Sequence, residues 1–111
     1  MASSTVLLVG RLAASNDEVE QNVDFHDFKV VGATNLDEVK AAFAQGPIDH
    51  VIMGAGIELD ARLEIVGEVF RTSDSTTVHM KDRAGGRASY LPFVRSVMVG
   101  IREYAKSQVA S

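Results

Sequence analysis

The segment Lys81-Asp-Arg-Ala-Gly-Gly-Arg87 places three cations and a diglycine directly before an apolar stretch with helical spacing. Lysine and arginine in such a setting hold phosphate or carboxylate, arginine through paired contacts. Gly85 and Gly86 let a ligand approach bare backbone, and the first amides of a following helix attract an anion. Lys81, Arg83, Gly85, Gly86 and Arg87 are therefore the candidate anion cradle. The segment is not a P-loop, because that spacing and the Gly-Lys-Ser/Thr ending are absent. The competing reading of the same residues is a solvated surface loop.

Other reactive residues are sparse. His79 stands near the end of a β-branched run, where an imidazole could reach the same crevice as a general base. No serine or carboxylate forms a recognisable triad with it, so a structural histidine is the favoured reading. His26 and His50 fit no metal-ligand spacing, and the chain has no cysteine. No metal and no cofactor are expected. Asp17, Glu18 and Glu20 read as acidic residues of a helix's first turn, and Glu58, Asp60 and Glu64 as a solvated face. Neither set resembles converging carboxylates around a hard cation.

These groups need a frame. Three apolar runs end in glycine: Thr5-Val-Leu-Leu-Val-Gly10, Phe28-Lys-Val-Val-Gly32 and His50-Val-Ile-Met-Gly54, the last continuing as Ala55-Gly56. Such runs read as buried parallel strands, and ligands in such sheets sit beyond the strands' carboxyl ends. The candidate crevice is thus Gly10, Arg11, Gly54 and Gly56, with His79 beside it.

Helices alternate with the strands. Ser15 with Glu18 has capping-box spacing, which predicts a short helix to about Asp24. Asn35 with Glu38 predicts another, carrying the stripe Leu36, Val39 and Phe43 and ending at Gly46-Pro47. Leu59, Leu63, Val66 and Phe70 predict a third, with that stripe facing the core. Thr76 to Met80 is a weaker fourth strand. Ser89 is expected to cap the last helix, with Val94, Met98, Ile101 and Ala105 facing inward and Pro92 in its first turn. The expected fold is one α/β domain over residues 1–111, a three-layer α/β/α arrangement with a mainly parallel four-stranded sheet.

The 111 residues are 46% hydrophobic and carry 15 acidic against 11 basic side chains, a net charge of -4. That balance argues against general nucleic-acid or anionic-membrane binding. No run approaches the roughly 20 apolar residues of a membrane span, and the opening lacks a signal peptide's pattern. A cytoplasmic protein is the expectation.

The opening Val6-Leu-Leu-Val-Gly10 and the phrase Phe28-Lys-Val-Val-Gly-Ala-Thr-Asn35 before a helix resemble response-regulator receiver domains of the flavodoxin-like class. The likeness covers roughly Thr5 to Phe70 and implies strand order 2-1-3-4. Receivers carry a phospho-accepting aspartate after the third strand, where this chain has Gly54. Acidic metal ligands follow the first strand there, where this chain has Gly10 and Arg11. The resemblance therefore implies a receiver-like regulatory or protein-interaction module without phosphorylation chemistry.

The last helix carries Tyr90, Leu91, Phe93, Val94, Val97, Met98, Val99 and Ile101, more than one narrow stripe. An uncovered remainder would favour self-association, most simply as a homodimer. Two expectations follow: a non-enzymatic module that self-associates through this helix, or a binder of small anions or nucleotide phosphates, open to catalysis, that uses Lys81–Arg87.

Overall fold

The computed structural model describes residues 4–110. Strands β1 (Ser4–Val9), β2 (Phe28–Ala33), β3 (His50–Met53) and β4 (Thr77–Met80) alternate with helices α1 (Ala13–Asn22), α2 (Leu36–Ala44), α3 (Leu59–Thr72) and α4 (Tyr90–Ala110). The sheet is parallel throughout, in the order β2-β1-β3-β4. The parallel sheet is what the glycine-ended runs predict, and the order is the flavodoxin-like one that the receiver resemblance implies.

Side chains alternate between the two faces of the sheet. Leu7, Val9, Val51 and Met53 pack with Val39 of α2 and with Ile65 and Val69 of α3. Val6, Leu8 and Ile52 pack with Val19 of α1 and with Val94, Met98 and Ile101 of α4. Because β1 is central and covered on both faces, Val6 to Val9 are all buried, and the strand reads as unbroken apolar sequence. Among the described residues no helix is long and apolar enough to cross a membrane.

Helix α2 forms as its signals predict. Asn35 Oδ1 accepts from the Glu38 amide at 2.9 Å, and two acidic residues stand in the first turn. The Glu38 carboxylate reaches back to the Thr34 amide at 2.6 Å, one residue earlier than a capping box requires.

Helix α1 departs from expectation. It starts at Ala13, Leu12 stands at its cap without a side-chain bond, and Ser15 is already helical. Asp17, Glu18 and Glu20 consequently fall outside the first turn. The turn after β1 is only a few residues long, so the helix begins at once.

Helix α3 shows the largest difference. Arg62, Ile65 and Val69 face the core, whereas Leu59, Leu63 and Phe70 are exposed. Both series have helical three-and-four spacing, so periodicity alone does not choose between them. The sheet takes the β-branched pair, and Arg62 joins it because its Nη1 donates to the Lys81 carbonyl at 3.1 Å.

Helix α4 buries Val94, Met98 and Ile101, but Ala105 is exposed. Tyr90, Leu91, Phe93 and Val97 pack partly against the same core. Of its large apolar side chains, Val99 and Tyr104 stay exposed. They are five residues apart, which at about 100° per residue puts them well apart around the helix. Arg102 holds the lower half of α4 to the sheet. Its Nη2 donates to Asp27 Oδ1 at 2.6 Å, and its guanidinium lies 5.4 Å from the Phe28 ring centre.

Candidate functional site

The parallel ladders run one residue past the strands. Gly10 N–H donates to the Ala33 carbonyl at 3.1 Å, Gly54 N–H to Val9 at 3.0 Å and Lys81 N–H to Met53 at 2.9 Å. The tips Gly10, Gly54 and Lys81 therefore share one edge of the sheet. A cavity of about 330 Å³ opens there. The β1 and β3 tips contribute Gly10, Arg11, Gly54 and Gly56, and the loop after β4 contributes Lys81, Asp82, Arg83, Gly86 and Arg87. Leu12, Ser15, Ala55 and Tyr90 complete the lining.

Lys81 is the anchor of this site. Arg11, Arg83 and Arg87 are exposed, but Lys81 is buried, with 5% of its side chain accessible. Its ammonium donates to the Asp82 carbonyl at 2.9 Å and to Asp82 Oδ1 at 3.0 Å. That contact holds the Asp82 carboxyl below the usual carboxylate range. The ammonium has three protons and two such acceptors, both supplied by one exposed neighbour.

The glycines serve distinct purposes. Gly86 has φ +66°, a left-handed conformation that side chains resist, and it turns the chain into the Arg87–Ser89 3-10 turn before α4. A Cβ on Gly85 would overlap Ser89 Oγ, so the loop closes tightly beside Lys81. Ser89 does not cap α4 by accepting a bond. Its hydroxyl donates back to the Gly86 carbonyl at 2.8 Å, which folds the loop onto itself.

Tyr90 was legible in the sequence only as part of an apolar helix. It packs under Gly54, where a Cβ would meet its Cζ at 3.3 Å. Its hydroxyl is buried without a partner, and burial pushes the phenol up to about 12. The residue lines the cavity, and its buried hydroxyl is an unsatisfied donor. The contact with Gly54 joins the end of β3 to the start of α4, with α3 and β4 between them in sequence, so no local pattern signals it.

His79 and Gly85 do not line the cavity. His79 projects from the α4 face of the sheet, as do His50 and Thr77. Thr77 Oγ1 lies 2.9 Å from His79 Nε2 and 2.6 Å from His50 Nδ1, so one hydroxyl bridges two imidazoles. Among the described residues, no cluster of three or more histidine, aspartate or glutamate side chains could hold a metal.

Burial lowers both imidazoles below their ordinary value near 6.5, and for His50 the neighbouring His79 adds to the effect against Asp49. The unfolded chain therefore takes up protons first as the pH falls. Stability should drop as pH falls below about 6.5, before the carboxylates titrate. Urea melts at pH 7.5 and 5.5 should show this drop. The His50→Gln/His79→Gln variant should lose it, and an equal slope in that variant would assign the effect elsewhere.

Comparison of the chain with known protein families, with curated proteins and with solved structures finds no match.

Proposed function

We propose that this protein binds a small phosphate- or carboxylate-bearing ligand in the cleft beyond Gly10, Gly54 and Lys81. The observation that carries the reading is the buried Lys81 in the lining of an open cavity, whose ionic partner among the described residues is the exposed Asp82 carboxylate. A buried lysine is uncommon unless paired, and Asp82 leaves one of its protons for a guest. Arg11, Arg83 and Arg87 add mobile positive charge at the mouth, and the Tyr90 hydroxyl supplies a neutral donor inside. Nucleotide phosphates fit this chemistry as well as inorganic phosphate does.

Inorganic phosphate or a nucleotide should raise the melting temperature in a saturable way, at constant ionic strength. At a hundredfold excess over Kd the stabilisation is ~2.7 kcal/mol, a shift of several degrees. Arg87→Ala should reduce the rise. A wild-type melting curve indifferent to phosphates, carboxylates and nucleotides at millimolar concentration would remove the proposal.

A second reading, a receiver-like regulatory or interaction module that self-associates, takes its support from the strand order, with Gly54 standing where receivers carry the phospho-acceptor aspartate, so phosphorylation chemistry is no part of it. It predicts no response to small anions and a partner-dependent assembly. The exposed apolar side chains of α3 bear on that reading.

A further inference from the structure

Leu59, Leu63 and Phe70 are each more than half exposed, at 52%, 55% and 54%, and all lie on α3. With the partly buried Val66 they form one stripe, spaced four, three and four residues apart. The stripe lies beside the buried face of α3, on the side where Arg62 reaches the end of β4. Met80 of β4 is also exposed, on the same face of the sheet as Val78 and α3. The apolar series thus continues from helix to sheet edge.

That edge is open. Among the described residues β4 pairs with β3 alone, so its outer row of backbone N–H and C=O groups has no strand partner there. Its residues, Thr77, Val78, His79 and Met80, include no lysine, proline or carboxylate of the kind that guards edge strands. An apolar stripe beside a short, unpaired edge marks an interaction surface.

We propose that a second copy of this chain covers this surface, with β4 antiparallel to β4 and α3 antiparallel to α3 about a two-fold axis normal to the sheet. The inference stands apart from the anion reading. Its sequence argument is self-complementarity. In an antiparallel register centred between Glu64 and Ile65, Leu59 faces Phe70 of the partner subunit, and Leu63 faces Val66 of the partner subunit. Asp60 near the helix start, Glu64 at its middle and Arg71 near its end flank the same side of the stripe. A two-fold axis brings Asp60 within two residues of Arg71 of the partner subunit, an opposite-charge pair in which Arg71 would exchange its exposed 3.3 Å contact with Glu68, while Glu64 lies near Glu64 of the partner subunit at the axis.

The spacing also agrees. Helices lying over the β3–β4 pair of each copy would stand about two strand spacings apart, ~10 Å, which is ordinary helix packing. The product is a continuous eight-stranded sheet with no exposed β4 edge. Among the described residues of α4, the exposed large apolar groups Val99 and Tyr104 form no comparable stripe.

Sedimentation equilibrium of the full chain should give twice the chain mass at micromolar concentration. Phe70→Asp and Leu63→Asp should each yield a folded monomer, as judged by circular dichroism, because both side chains already meet water in the free chain. Asp60→Arg should weaken the dimer at least tenfold, and adding Arg71→Asp should restore it. Val99→Asp on α4 should leave it intact. A monomeric wild type, which would leave this face to a different protein, overturns the proposal. So does a dimer that survives Phe70→Asp and dissociates with Val99→Asp.

Discussion

Gly10→Ala should destabilise this protein, although the backbone at that position is open to alanine. Positive φ among the described glycines is confined to Gly46 and Gly86. Removing a glycine elsewhere would ordinarily stabilise by ~0.4–1 kcal/mol through the unfolded chain. The obstacle is Asn16. A Cβ on Gly10 would lie 2.8 Å from Asn16 Oδ1, and one on Gly32 would lie 3.3 Å from Asn16 Nδ2. The Asn16 side chain therefore occupies a slot left by two glycines on adjacent strands. It has little room to withdraw, since Nδ2 donates to the Ala33 carbonyl at 3.1 Å. Overpacking of this kind costs about 1–3 kcal/mol, which exceeds the entropic gain.

A double-mutant cycle isolates the effect. In an Asn16→Ala background the clash disappears, and Gly10→Ala should become neutral or stabilising. The Ala33 carbonyl keeps the Gly10 amide as a donor in that background, so no acceptor is stranded. The coupling should exceed ~1 kcal/mol in urea denaturation. An equal cost in both backgrounds would show that Gly10 is required for some other reason.

The same pair of residues shows how much the sequence discloses. Glycine at the ends of apolar runs announces parallel strands, and those strands share an edge as expected. The glycine of β1 reads as a sharp turn, yet its tightest constraint is a buried asparagine six residues later. Nothing in local sequence couples Gly10, Gly32 and Asn16, because the slot exists only once β1 and β2 lie side by side. Capping is legible at Asn35, where the signal is contained within one turn of chain.

α3 fails for a related reason. Two stripes on one helix satisfy the same periodicity, and the choice depends on where β4 ends, since Arg62 binds a carbonyl there. Lys81 was readable as a cation in a polar loop, but its burial depends on the close turn at Gly85 and Gly86 folding back over it. His79 was placed on the right strand, and the alternation of that strand directs it onto the sheet face with His50 and Thr77, away from the cleft.

Lys81→Met should separate ligand binding from folding. Methionine fills nearly the same volume in a site where lysine is already buried. The lost ammonium leaves no stranded charge, because Asp82 is exposed and returns to water. Exchanging a buried ion pair for an apolar side chain is commonly neutral or stabilising. The urea midpoint should therefore hold or rise. Phosphate affinity should fall roughly 10- to 100-fold, the loss of a charge-assisted bond worth ~1.5–3 kcal/mol.

Asp82→Asn should act in the opposite sense, since the guest then no longer competes with a carboxylate for Lys81. Tyr90→Phe provides the neutral counterpart. It removes a buried hydroxyl that has no protein partner, so stability should hold or rise by ~1–3 kcal/mol while binding weakens. With its phenol pushed up to about 12, Tyr90 stays a proton donor across the physiological range, and its contribution to binding should not vary from pH 6 to 9. Calorimetric titration of phosphate into the three variants reads all of these effects. Unchanged affinity in Lys81→Met would show that this ammonium serves the loop alone, and that any anion the protein takes is held by the arginines at the rim.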